Sequence, residues 1–155
     1  MATTQQIQIA DDIVRYKNIM NDLLDFVSYQ LRRINPDTGQ AYLDREGNPF
    51  THEQIQQFVH KNMVAVRNFK AIILDFVDKL GSQVVIDALQ AVNITDLVGL
   101  KNEIINMDNV AGTVLNQVDK AANDTDFIAI ASHIDANVEK LKLIRRRWPL
   151  QINGK

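Results

Sequence analysis

The sequence predicts an all-α protein: an antiparallel bundle of four long helices plus one short helix, with a β-hairpin inserted between helices 1 and 2. Three observations carry this. Apolar residues recur at alternating spacings of three and four over four long stretches, which places them on one helical face. Most of the connections between those stretches are short, as they are between antiparallel neighbours. Glycine and proline are also gathered rather than spread. Pro36, Gly39, Gly47 and Pro49 share one stretch, Pro149 and Gly154 lie near the C-terminus, and only Gly81, Gly99 and Gly112 punctuate the rest.

The first helix is expected over about Thr4 to Ile34. Its stripe is Ile9, Ile13, Tyr16, Met20, Leu23, Val27 and Ile34, widened by Leu24 and Leu31, and its length is roughly 45 Å. The second begins at Thr51, with Gln54 three residues on to complete a capping box. It carries Ile55, Val59, Val66, Phe69, Ile73, Phe76 and Leu80, and Gly81 supplies the left-handed residue that ends it. The third is short, capped by Ser82, with Val84, Val85, Ala88, Leu89 and Val92 inward and Asn93 as its breaker. The fourth, capped by Thr95, has the heptad Leu97, Leu100, Ile104, Met107, Ala111, Val114, Val118 and Ala121. Gly112 inside it costs about 1 kcal/mol relative to alanine, where it leaves room for close packing or a bend. The fifth follows Asp124 or Thr125 as cap and carries Phe127, Ile130, Ile134, Leu141, Ile144 and Trp148 until Pro149 stops it. These stripes are wider than a two-stranded seam, so they are expected to close one core within one chain. Residues 1–155 then form a single domain, with an arm over 35–50 and a tail over 148–155.

The stretch between helices 1 and 2 is longer than a bundle connection requires, which is usually about 2–8 residues. Pro36 to Gly39 reads as a turn, and Asp44-Arg45-Glu46-Gly47 as a type I turn with Gly47 left-handed, giving a bulged β-hairpin. An isolated two-stranded hairpin is marginal in water, so it must lean on something. Tyr42, Leu43 and Phe50 are its anchors. They serve either to cap the end of their own bundle or to dock on a neighbouring subunit.

Few residues carry a pattern for chemistry. With no cysteine, disulfides, thiolate metal sites and cysteine nucleophiles are excluded. "HEQIQ" at His52 opens like a zinc-protease helix, but Gln56 stands where the second histidine must be. No glutamate is followed by histidine three residues later, as a di-iron bundle needs. The pairs Asp22/Asp25 and Asp75/Asp78 sit beside the apolar stripes and read as solvated helix faces. Gln30, Asn62 and Asn137 interrupt three stripes, and either fix register as buried amides or mark where a stripe turns to solvent. No catalytic, metal or cofactor residues are expected, and the chain is expected not to be an enzyme. "IVRYKNIMNDLLDFV" and "MVAVRNFKAIILDFV" share Leu-Asp-Phe-Val, which two amphipathic helices of similar composition produce without duplication.

Net charge is −2, but its distribution is uneven. Glu103 to Glu139 holds seven acids and one lysine, whereas Lys140 to Lys155 holds six bases and no acid. Cations in a last turn complement the helix dipole. Arg145, Arg146 and Arg147 followed by Trp148 and Leu150 exceed that need, and could meet an acidic surface of a second copy, a phosphate backbone or an anionic membrane. The N-terminus lacks a secretory pattern and no apolar run reaches a membrane span, so the chain is expected in the cytoplasm or a virion and not secreted. Absent cysteine, many Asn and Gln, the stretch "DTGQAYLDREGNPF" and the tail "RRRWPLQINGK" together resemble small helical virion proteins of tailed phages, of the head–tail connector or neck type. The resemblance implies a structural subunit that forms a ring or multimer through arms and termini, with other structural proteins as partners. The alternative is a nucleic-acid-associated or regulatory helical protein that binds through the basic C-terminal helix.

Overall fold

The computed structural model describes residues 3–32 and 39–138. Among them are five helices: α1 (Thr4–Arg32), α2 (His52–Leu80), α3 (Ser82–Gln90), α4 (Leu97–Val118) and α5 (Asp124–Asp135). The all-α expectation holds. α1 packs on α2 and α5, and α4 closes the bundle by packing on both of those. Side-chain pairings give the directions. Tyr16 stacks on Phe69 and Phe26 meets Phe58 edge-on, with centroids 5.5 and 5.2 Å apart, so α1 and α2 run oppositely. Gln56 Nε2 donates to the Val118 carbonyl at 3.0 Å while Arg67 reaches Asp108 at 3.1 Å, so α2 and α4 do too. α5 returns along α4, and Asn106 donates to the Asn137 carbonyl at 3.4 Å. The short α3 carries the chain from α2 to α4 and packs mainly on α1.

Helix boundaries follow local chemistry, with some shifts from expectation. The Thr51/Gln54 capping box is formed in both directions. Gly81 ends α2 at φ 90°, and the same residue opens α3, so Ser82 is the first helical residue and not a cap. α4 is capped by Asp96, which accepts from the Gly99 N–H at 2.8 Å, in place of Thr95. α5 is capped by Asn123, one residue before the expected pair. In both cases an Asp or Asn next to the expected residue has the carboxylate or amide oxygen that reaches the third N–H. Asn93 breaks the chain after α3 at φ 66°. Gly112 faces the Arg67 guanidinium, where a Cβ would stand 3.3 Å from Nη1. Its role is close packing. α5 stops at Asp135, with the Ala136 N–H bonded back to Ser132 and Ile134; Leu141, Ile144 and Trp148, expected to extend its stripe, lie outside the described residues.

The β-hairpin expected over 35–50 does not form. The described residues contain no strand; Leu43 and Pro49 form an isolated antiparallel bridge, and Ala41 is a further bridge residue. The turn itself is as the sequence implies: Gly47 has φ 85° and donates to the Asp44 carbonyl at 3.0 Å, and the Asp44 N–H donates to Asn48 at 2.8 Å. The arms fail to extend because Pro49 has no N–H to give a ladder. Asp44 Oδ1 instead takes the Glu46 and Asn48 N–H groups, a local Asx arrangement that competes with strand pairing. The residues around Pro36 lie outside the described residues.

The core runs the length of the bundle through Ile13, Met20, Leu24, Val59, Met63, Val66, Ile104, Val114, Phe127 and Ile134. Among the described residues, no helix is long and apolar enough to cross a membrane. Phe127→Ala should lower unfolding stability by about 3–5 kcal/mol, the range for a fully buried phenylalanine. Val98, which is 68 % exposed, should lose less than about 0.5 kcal/mol on the same truncation. Urea unfolding of the two variants checks the core assignment, and similar losses would refute it.

Candidate functional site

Residues 24–31, the last two turns of α1, are buried on every face. An ordinary bundle helix keeps a solvent stripe. Here α2, α5 and the connection leading to α2 cover this end, and the run includes three polar residues: Asp25, Ser28 and Gln30. Burying such groups is costly unless they are bonded. Ser28 Oγ donates to Asp135 on α5. Arg32, one turn further, folds back to donate to the Ser28 carbonyl at 3.1 Å and Oγ at 2.7 Å, and pairs with the other Asp135 oxygen. This cluster fastens α1 to the C-terminal end of α5.

The described part of the connection, Gly39 to Phe50, folds inward over the same end. Tyr42 and Phe50 join the core, while Leu43 points outward at 45 % exposure. The anchors expected to grip a partner are thus split: the two aromatic residues cap their own bundle and Leu43 alone faces solvent. Arg145, Arg146, Arg147, Trp148 and Leu150 lie outside the described residues. Beneath the connection is a cavity of about 220 Å³ lined by Gln30, Arg32, Ala41, Tyr42, Pro49, Phe50, Ile55 and Asp124. Gln30 is 1 % exposed, and its Nε2 has no hydrogen-bond partner among the described residues. It also walls a neighbouring depression of about 270 Å³, whose other side carries the exposed Gln54, Gln57 and Lys61.

Acids bonded to histidine or to a cation surround this end and continue up the bundle. His52 bonds Asp124 at 2.9 Å with its ring edge-on to Phe127, and His60 bonds Asp119 at 2.8 Å. Further along, Asp108 takes Arg67 at 3.1 Å and Lys70 at 3.8 Å, and Glu103 takes Lys17 at 3.2 Å. Each of these acids belongs to the α4–α5 half of the chain, and each partner to α1 or α2. Among the described residues, no group of three His, Asp or Glu converges as a metal set.

Several expectations resolve against this geometry. Gln30 is the buried amide, whereas Asn62 and Asn137 turn back on their own helices and donate to the Phe58 and His133 carbonyls, both at 2.8 Å. Asp75 and Asp78 are exposed, as a solvated face requires, with Lys79 3.0 Å from Asp75. Asp25 is not: it is fully buried, because α1 is covered on the side where the stripe pattern leaves it bare. Arg32 and Asp135 were missed, and no spacing rule connects residues so far apart in sequence.

Asp135→Ala should cost about 2 kcal/mol, since it removes hydrogen bonds to a charged group and strands Arg32 and Ser28. Asp75→Ala, which breaks an exposed i,i+4 pair, should cost no more than about 0.5 kcal/mol. Chemical unfolding of both variants measures the difference; equal losses would mean the α1–α5 cluster is not a fastening. In comparisons with known proteins, no family model, curated protein or solved structure matches the chain.

Proposed function

We propose that the chain is a non-enzymatic structural subunit that assembles with copies of itself and with other structural proteins in a ring or multimer. This is the role implied by its resemblance to head–tail connector and neck proteins of phage virions. One observation carries the reading: the partition of charge. Residues 3–32 and 39–138 hold 17 acids and 10 Lys or Arg, whereas 140–155 hold six bases and no acid. A body and a segment of opposite sign on one chain favour head-to-tail pairing between copies, which closes into rings or runs on as filaments.

The surface details support a particular place for that contact. Glu103, Asp108, Asp119, Asp124 and Asp135 are drawn into pairs with α1 and α2, so they are poorer receivers. Glu46 is exposed in the turn that follows the outward-facing Leu43, and Glu53 is exposed in the first turn of α2. An exposed apolar residue on this acid-rich body suits Arg145 to Arg147 with Trp148 and Leu150. The alternative, in which the basic segment binds nucleic acid, is opposed by the body, whose excess of acids repels a polyanion.

Light scattering on the full chain tests the choice. The multimer mass should fall when Arg145, Arg146 and Arg147 are all changed to alanine. It should also fall at high salt, where the Debye length shrinks to about 3 Å. A monomer at every concentration defeats the proposal. A monomer that retains duplex DNA at low salt, and loses it in the triple variant, replaces it with the alternative.

A further inference from the structure

We infer that the outward face of α4 is a contact between two copies of this chain, packed α4 against α4 in antiparallel register about a two-fold axis beside Ile105. Helical spacing sets five residues in one stripe on that face: Val98, Asn102, Ile105, Asn109 and Thr113. Val98 and Ile105 are 68 % and 38 % exposed, Asn102 and Asn109 are exposed, and Thr113 is half-buried. Among the described residues, neither Asn102 nor Asn109 has a hydrogen-bond partner for its side chain.

Charge sets this face apart. α2 exposes Glu53, Lys61, Arg67, Asp75, Asp78 and Lys79. Of the exposed residues on α4, all of which is described, Glu103 alone is charged, and it pairs with Lys17 at 3.2 Å. Lys101 is half-buried, at the edge of the stripe. The cores of protein interfaces are depleted of charge in this way.

The order of residues in the stripe names the occupant. It reads alike in both directions: a β-branched residue, Asn, Ile, Asn, a β-branched residue. With antiparallel helices about 8–10 Å apart, Ile105 packs on its own copy, Asn102 meets Asn109 and Val98 meets Thr113. An amide holds both a donor and an acceptor, so Asn102 and Asn109 can answer one another on each side of the axis. A two-fold contact needs a self-complementary surface, which a stripe of one charge cannot be. Residues 3–32 and 39–138 hold 17 acids and 10 Lys or Arg, so two copies repel least across the face with fewest charges. That face also offers the basic segment 140–155 few acids, and nucleic acid few bases.

The stripe from Val98 to Thr113 is about 22 Å long, and a single helix face of that length covers less than the roughly 1,000 Å² of a stable interface. The pair is therefore a weak dimer, strengthened by effective concentration where another contact already holds copies close. It uses no residue of the basic segment, so it does not rest on the head-to-tail pairing.

The chain has no cysteine, so each introduced thiol is unique. Thiols are placed in a background with Arg145, Arg146 and Arg147 changed to alanine, which removes the head-to-tail pairing, and oxidised at high protein concentration. Ile105→Cys alone should give a disulfide-linked dimer. Asn102→Cys and Asn109→Cys should each stay unlinked alone, since like positions lie about 10 Å apart along the axes, beyond disulfide reach. Mixed together, they should link. Asn68→Cys, exposed on α2, is the control and should not link. Ile105→Glu sets two like charges at the axis, so sedimentation should show dimerisation weakened at least about tenfold, with the thermal midpoint unchanged.

A mixture that links no better than its separate components overturns the inference. So does linking of Asn68→Cys to the same extent as Ile105→Cys, which marks random collision. Undiminished dimerisation by Ile105→Glu overturns it too, and leaves the face to another partner or to solvent. Failure of these links leaves the effect of the arginines on multimer mass untouched, so the two contacts are judged separately.

Discussion

Burial of the last two turns of α1 on every side is the constraint around which the rest of this fold is arranged. A helix with no solvent stripe has to be enclosed, and two neighbouring helices cannot do that alone. α2 and α5 flank it, and the connection from α1 to α2 covers what they leave open, with Tyr42 and Phe50 as its inward weights. That explains why the connection is so much longer than loop closure requires. It is not a spare arm; most of its apolar content is spent on its own bundle. The buried run also dictates the polar cluster beside it. Ser28 inside α1 needs a partner from another element, and Asp135 and Arg32 meet that need together.

The uneven charge along the sequence has a second consequence within the bundle. Glu103, Asp108, Asp119, Asp124 and Asp135 all reach cationic or histidine partners on α1 or α2. Each exposed pair adds little, typically below about 1 kcal/mol. Their joint effect is to distinguish one helix arrangement from others that would bury the same apolar area. The apolar stripes supply the driving force for collapse, and the acid-to-base pairing selects which helix lies beside which. Asp108 is the exception in strength. It is nearly buried, and Gly112 one turn on leaves the space through which Arg67 reaches it.

Much of this fold could be read from the residues, and the failures share a cause. Four stripes at heptad spacing gave the helices, and Thr51 with Gln54 gave the start of α2, because these depend on neighbours within a turn. What depended on distant chain segments stayed hidden. Leu-Asp-Phe-Val occurs twice, over 24–27 and 74–77. In the first copy the aspartate is fully buried and in the second it is exposed. Nothing in the tetrapeptide distinguishes them; the coverage of α1 by α5 and the connection does. The absent hairpin is a local failure of a different kind. The turn signal was sound, but Pro49 and the Asp44 side chain both divert backbone groups that a ladder would use. At the candidate site, Tyr42, Phe50 and Gln30 stood out as an aromatic pair in a loop and an amide in a stripe. Arg32, Asp124 and Asp135 had no signal, since only tertiary packing brings them to one place.

Turning the aromatic residues inward also changes how an assembling subunit would present itself. A loose hairpin would have to be ordered on contact, at a cost in conformational entropy that subtracts from affinity. A connection already packed against its bundle has met that cost in folding. What its described residues offer outward is then small: Leu43 at the bridge, with Arg45 and Glu46 in the turn that follows. A patch of that size cannot hold a partner by area alone, and specific interfaces generally bury upwards of about 1,000 Å² in total. The partner segment must therefore bring both charge and apolar bulk. Arg145 to Arg147 followed by Trp148 and Leu150 is the one stretch of this chain that concentrates both. In the assembly proposed above, that segment would supply the charge and apolar bulk that the small outward face around Leu43 lacks.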